Sequence, residues 1–173
     1  MARTDSFFIR ASVLTDSTNF NQSAIDLGAY VDALGKSVLR IHNISVQYGT
    51  PMEVIGTPAA GNTSSVAFQL TTQSQAAMVD LTNRSVVSSG KLILAASQDD
   101  DLILINDQLD VGPQDFTDGY LIAVEQMYLG VDQRSTVTAQ VSVVLECTVY
   151  GRYVSFIETA ADDRKSIQQQ RGV

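Results

Sequence analysis

The run TVTAQVSVVLECTVY, Thr136 to Tyr150, alternates apolar and polar residues over fifteen positions. Val137, Ala139, Val141, Val143, Leu145, Cys147 and Val149 share one side, Thr136, Thr138, Gln140, Ser142, Glu146, Thr148 and Tyr150 share the other, and Val144 alone breaks the order. A period of two belongs to a strand with one dry face. At roughly 3.3 Å per residue the run would reach about 50 Å, twice or more the usual strand length, which predicts a tall sheet.

The rest of the chain repeats this pattern in shorter pieces. Ser6 to Leu14 predicts a first strand with Phe7, Ile9, Ala11 and Val13 on one face, followed by a polar loop from Thr15 to Ser23 and a short strand over Ala24 to Val31. Within Val38 to Tyr48 the apolar set changes parity, from Leu39 and Ile41 to Ile44, Val46 and Tyr48, which predicts a β-bulge near His42. A Pro- and Gly-punctuated loop covers Gly49 to Asn62, and Val66 to Thr72 predicts a strand with Val66, Phe68 and Leu70 inward. Gln73 to Ser89 fits a short strand or a helical turn, while Lys91 to Ala96 and Leu102 to Ile105 are short apolar runs separated by the acidic turn Gln98 to Asp101. GYLIAVEQMYLG, Gly119 to Gly130, is nearly continuous in apolar character and predicts one strand covered on both sides. Arg152 to Ile157 would continue the sheet after Gly151.

About eight strands with no sustained helical period predict an all-β domain, a single jelly-roll-like antiparallel β-sandwich. It would occupy residues 1–173 as one domain, with a short N-terminal arm over about 1–6 and a polar C-terminal tail over about 158–173. An immunoglobulin-like sandwich fits less well, because one cysteine and no tryptophan are present.

Charge narrows the classes of partner. Eleven Lys and Arg against nineteen Asp and Glu give a net charge of −8, a balance that repels phosphate backbones and argues against direct nucleic-acid binding. The N-terminus lacks the apolar core of a signal peptide, and no apolar stretch reaches the length of a membrane span, so a soluble chain is expected. Cys147, the single cysteine, sits on the apolar side of the long strand and reads as a small core hydrophobe.

Several runs approach known chemistry and depart from it at the decisive residue. GTPAAGNT, Gly56 to Thr63, places Asn62 where a phosphate-cradling loop needs lysine, and a strand pattern follows instead of a helix. SSGK, Ser88 to Lys91, has the spacing of an acyl-transfer serine and lysine, but that pair needs a helix and Gly90 points to a turn into a strand. His42 is the only histidine, which removes a two-histidine metal site and leaves a Ser-His-Asp triad conceivable only without its usual nucleophile-elbow context, so a structural hydrogen-bonder at the bulge is the plain reading. Between Asp99 and Asp118 stand seven carboxylates (Asp99, Asp100, Asp101, Asp107, Asp110, Asp115 and Asp118) and no cation. Oxygen-rich loops of this kind hold Ca²⁺, although the spacing matches no EF-hand. A solvated acidic rim is the plainer reading. If a divalent cation binds at Asp99, Asp100 and Asp101, a site shared between subunits is expected, because adjacent side chains diverge. No catalytic residue, other cofactor or small-molecule substrate is expected.

The short arm, the eight-strand count, the early Pro/Gly loop, the acidic turn and the closing stretch DGYLIAVEQMYLG…VTAQVSVVLECTVY together resemble the small single jelly-roll major capsid proteins of tailless icosahedral viruses of archaea and bacteria. The resemblance covers most of the chain as architecture and contains no diagnostic motif. It implies a non-enzymatic structural subunit located in the virion, forming pseudo-hexameric capsomers with its own copies and often with a second capsid protein, around an internal membrane and double-stranded DNA. Shells that package RNA directly carry a strongly basic arm, whereas this arm offers only Arg3 and the tail only Arg164, Lys165 and Arg171. A carbohydrate-binding or other ligand-binding β-sandwich module is the alternative, against which stands the lack of tryptophan platforms. A cupin-type enzyme would need several histidines for its metal.

Overall fold

The computed structural model describes residues 3–15, 19–32, 37–50, 58–99, 101–107, 119–134 and 140–151. These contain nine strands and no helix: β1 (Phe7–Leu14), β2 (Asn21–Asp26), β3 (Ser37–Tyr48), β4 (Thr63–Thr71), β5 (Val86–Ala96), β6 (Leu102–Asp107), β7 (Tyr120–Ile122), β8 (Gln126–Arg134) and β9 (Gln140–Gly151). They form two antiparallel sheets, one ordered β1-β9-β3-β7 and the other β2-β8-β4-β5-β6. With β6 set aside, the ladders β1·β9, β2·β8, β3·β7 and β4·β5 pair the first strand with the last and so inward, in the manner of one long folded-over hairpin. That nesting is the jelly roll. β6 is the strand added to it.

The dry layer between the sheets follows from alternation. Val141, Val143, Leu145 and Cys147 of β9 face Val66, Phe68 and Leu70 of β4 and Met127, Leu129 and Val131 of β8 in one buried cluster. Tyr48 of β3 meets Phe68 of β4 edge to face at 6.0 Å between ring centres. The bulge falls where the parity change placed it: β3 keeps pairing with β9, but the register shifts between Ile41 and Asn43. Leu39 and Ile41 are thereby buried, and Ile44, Val46 and Tyr48 still turn towards the same core. Gly119 delivers the chain into β7 beside this bulge at φ +79, where a Cβ would stand 2.5 Å from the Ile41 carbonyl oxygen. Only glycine fits there.

Several expectations need correction. Residues 119–130 are not one strand covered on both sides: β7 lies in the four-stranded sheet, β8 in the five-stranded one, and the chain crosses between them at 123–125. The Glu125 carbonyl accepts the Leu27 N–H at 2.8 Å, which holds this crossing against the β2–β3 connection. The second strand begins at Asn21, within the expected loop, and ends at Asp26, before the turn over 28–30. SSGK is no turn but the middle of β5, with Gly90 opposite Phe68. Residues 136–139 of the long alternating run, and the expected continuation from Arg152 to Ile157, lie outside the described residues, as does the tail over 158–173.

The connection over 72–85 holds no strand and covers the outer face of the five-stranded sheet. Gln69, 2% exposed although it points away from the core, donates to the Val79 carbonyl at 2.7 Å and accepts the Val79 N–H at 3.0 Å. One amide thus reproduces a ladder pair. Gln22 accepts the Gln75 N–H and donates to Ser74 Oγ, clamping the same segment from β2. At the N-terminus, Thr4 exchanges hydrogen bonds with Val149 and Arg3 bridges Tyr150, so residues 3 and 4 of the expected arm are tied to β9.

Val143 is 1% exposed and Ser142 lies half-buried on the opposite face of β9. Val143→Asp is expected to cost about 4 kcal/mol or more, because it leaves a carboxylate unpaired between the sheets. Ser142→Asp should cost less than about 1 kcal/mol. Urea unfolding of the two variants compares them. Equal loss would mean that both faces of β9 are dry.

Candidate functional site

The turn joining β5 to β6 is built by Ser97. Its hydroxyl accepts the N–H groups of Asp99 and Asp101, both at 3.1 Å, while its own N–H donates to the Asp101 carbonyl at 2.8 Å. The turn therefore closes on backbone and a serine side chain, leaving the Asp99 and Asp101 residues exposed. Asp100, Asp110, Asp115 and Asp118 lie outside the described residues, and Asp107 closes β6. Among the described residues no three His, Cys, Asp or Glu side chains converge in a metal-holding arrangement.

β6 itself is the notable surface. It pairs with β5 from Leu102↔Ala96 to Asp107↔Lys91, and among the described residues no strand lies on its other side. Leu102, Ile103, Leu104 and Ile105 remain 53%, 57%, 61% and 49% exposed. Successive strand residues point to opposite faces, so both faces of β6 are apolar and open. The cause is geometric. Five strands lie over four, and the strand added at the edge overhangs its partner sheet. At the opposite side of the sandwich β1 runs close beside β2, so the layers nearly meet there. Burying the exposed half of these four side chains would contribute roughly 1 kcal/mol each to a complex. A flat apolar edge is also the surface on which another strand most readily adds. In the sequence this edge shows only as a short apolar run, four residues without alternation with Asp101 before them and Asp107 two places after.

The other candidates resolve into structure. The amides of the GTPAAGNT turn are occupied: the Gly61 N–H approaches the Ala96 and Ser97 carbonyls at 3.1 and 3.2 Å, and the Asn62 N–H donates to the Ala59 carbonyl at 2.9 Å. Gly56 and Thr57 lie outside the described residues. Ser88 and Lys91 sit three apart on one strand and so face opposite sides, Ser88 buried and Lys91 exposed. Such a pair cannot share a proton. His42 Nε2 and Thr148 Oγ1 share a hydrogen bond of 2.7 Å on the outer face of the four-stranded sheet. Thr148 is fully buried although it belongs to the polar side of β9, so that face is covered towards its C-terminal end. Arg40 stacks over the Tyr150 ring at 4.4 Å beside it. Cys147 lies in the core with its thiol pushed up from 9.0 to about 12, by burial first and by the Glu146 carboxylate second.

Shallow open depressions of about 420 and 480 Å³ border the 72–85 connection, the first lined by residues that include Thr72, Ser74, Glu125 and Tyr128 and the second by residues that include Met78 and Asn83. In the first, the Ser74 hydroxyl accepts from the Gln22 amide and the Thr72 hydroxyl donates to the Ser85 carbonyl. No helix long and apolar enough to cross a membrane occurs among the described residues. No family model matches the chain, and no curated protein matches it.

Two outcomes follow from this geometry. His42→Ala is expected to destabilise the fold by about 1 to 3 kcal/mol, since it strands a buried hydroxyl, whereas Thr148→Val should cost less because half-exposed His42 can turn to water; denaturant unfolding reads both. Cys147 should resist alkylating reagents at pH 8 in the native protein and react at once in denaturant. A thiol whose value is raised on folding holds its proton while the unfolded chain loses it. Its contribution to stability is therefore intact below about pH 9 and falls as pH rises through 9 towards 12. Replacing it with Ala or Val should remove that part of the alkaline decline.

Proposed function

We propose that this protein is a structural capsid subunit of an icosahedral virus, one that assembles through subunit contacts into capsomers and resides in the virion. β6 carries this reading. An added strand with four half-exposed Leu and Ile side chains on a nested jelly roll is a surface that requires a neighbour. The nested strand order supports it as architecture, although a fold by itself does not fix a function. The acidic balance of −8 suits a shell whose inner surface meets a membrane or other proteins in preference to nucleic acid. Within the same proposal a second capsid protein shares the capsomer, and no small molecule is turned over.

Light scattering and electron microscopy of the purified chain test this, alone and with proteins from the same source, across a wide concentration range. Rings, lattices or closed shells are the expected result. A strict monomer under all of these conditions would overturn the proposal.

A further inference from the structure

The edge of β6 selects among partners by charge. Two copies of β6 pairing antiparallel about Leu104 would set Asp101 of each copy at the register position opposite Asp107 of the other. Carboxylates facing one another across a ladder disfavour that arrangement. A strand accepted here should be apolar in its middle and carry a cation at its end. Within this chain the stretch after β9 has that composition: Arg152 is followed by Tyr153, Val154, Ser155, Phe156 and Ile157, and the last 22 residues hold four of the eleven cations but three of the nineteen acids. Arg40, Arg10 and Arg3 lie on or beside strands already paired in the four-stranded sheet.

Position decides whether the segment could come from the same molecule. β9 ends at Gly151 opposite Ser37, the start of β3. β6 begins beside Ala96 at the far end of β5 and reaches back only as far as Lys91, midway along it. In the antiparallel nesting, the start of β3 and the end of β5 lie at opposite ends of the sandwich. Six residues leaving Gly151 would have to run back along the sandwich and change sheets before they could pair, while the neighbouring molecule imposes no such path.

We infer that the β6 edge, Leu102 to Asp107, receives the segment Arg152 to Ile157 of a second copy of this chain as an added strand, with Arg152 set against the carboxylates that flank β6. This inference rests on the capsid reading and names the contact by which its subunits join. Backbone hydrogen bonds complete the unpaired side of β6, and the apolar side chains of the incoming segment cover Leu102 to Ile105.

Mixing variants that each carry one added cysteine tests it. Ile103→Cys and Leu104→Cys, one for each face of β6, are combined in turn with Ser155→Cys and oxidised, with buried Cys147 remaining silent. The expected result is a disulfide between unlike chains in at least one mixture. Arg152→Glu should weaken assembly at least tenfold, and 1 M NaCl should weaken it while a chelator should not. Links formed only between like β6 variants would overturn the inference in favour of paired β6 edges. Assembled material without any Ser155→Cys link would overturn it and leave the capsid reading standing, as would assembly lost to chelation and indifferent to salt, which would assign the contact to a divalent cation at the acidic turn. A wild-type chain that stays monomeric would overturn both.

Discussion

Exclusion of water from the layer between two sheets is the constraint from which the other features of this molecule follow. β9 supplies its spine, because Val141, Val143, Leu145 and Cys147 project to one side without interruption and meet β4 and β8 across the gap. Any strand that pairs with β9 must keep its own apolar residues on that side. β3 manages this only through the bulge at His42, which resets its parity in mid-strand and leaves an unpaired histidine that Thr148 engages. Gly119 then becomes obligatory, since the chain entering β7 passes against the Ile41 carbonyl at the bulge. A packing rule, a polar contact and a glycine are thus one arrangement.

The same constraint explains which parts of the fold were legible in the sequence. β1, β3, β4 and β9 have one wet and one dry face over most of their length, so alternation reports them, and the bulge announced itself as a change of parity. The break between β7 and β8 carried no such mark. Ala123, Val124, Glu125 and Gln126 contain neither glycine nor proline, and where the chain leaves one sheet for the other the Glu125 carbonyl accepts the Leu27 N–H, a contact between residues distant in sequence. Exposed Val124, at 40%, is its trace in the structure. Ser88 to Gly90 misled in the opposite direction: small residues that resemble a turn are what β5 needs opposite Phe68 and Leu70, where large side chains from the neighbouring strand occupy the layer. Gln69 shows a further limit, since a polar residue on an outward position ends fully covered once the 72–85 connection folds over it.

Candidate chemistry read differently from fold. His42, Cys147, the GTPAAGNT turn and Ser88 with Lys91 stand out by composition and spacing, and the structure gives each a place in hydrogen bonding or packing. The acidic turn is half explained. Its conformation comes from Ser97 bonding to the Asp99 and Asp101 backbone, so the turn closes without their carboxylates. Their charges must then be accounted for by what surrounds β6.

A jelly roll of eight nested strands closes its own layer, and β6 contributes little to that closure. Its four apolar side chains stand outside the core cluster and about half exposed, so they lower the solubility of the free chain without a matching gain in its stability. Edge strands that must remain alone carry inward-pointing charges, bulges or proline along their length. Here the carboxylates sit at the two ends of β6 and leave its middle bare. An edge charged only at its ends repels its own copy in antiparallel register yet remains open to a strand of opposite charge and similar apolarity. Charge at the ends therefore sets which strand is admitted, and the bare apolar middle supplies the affinity once it is.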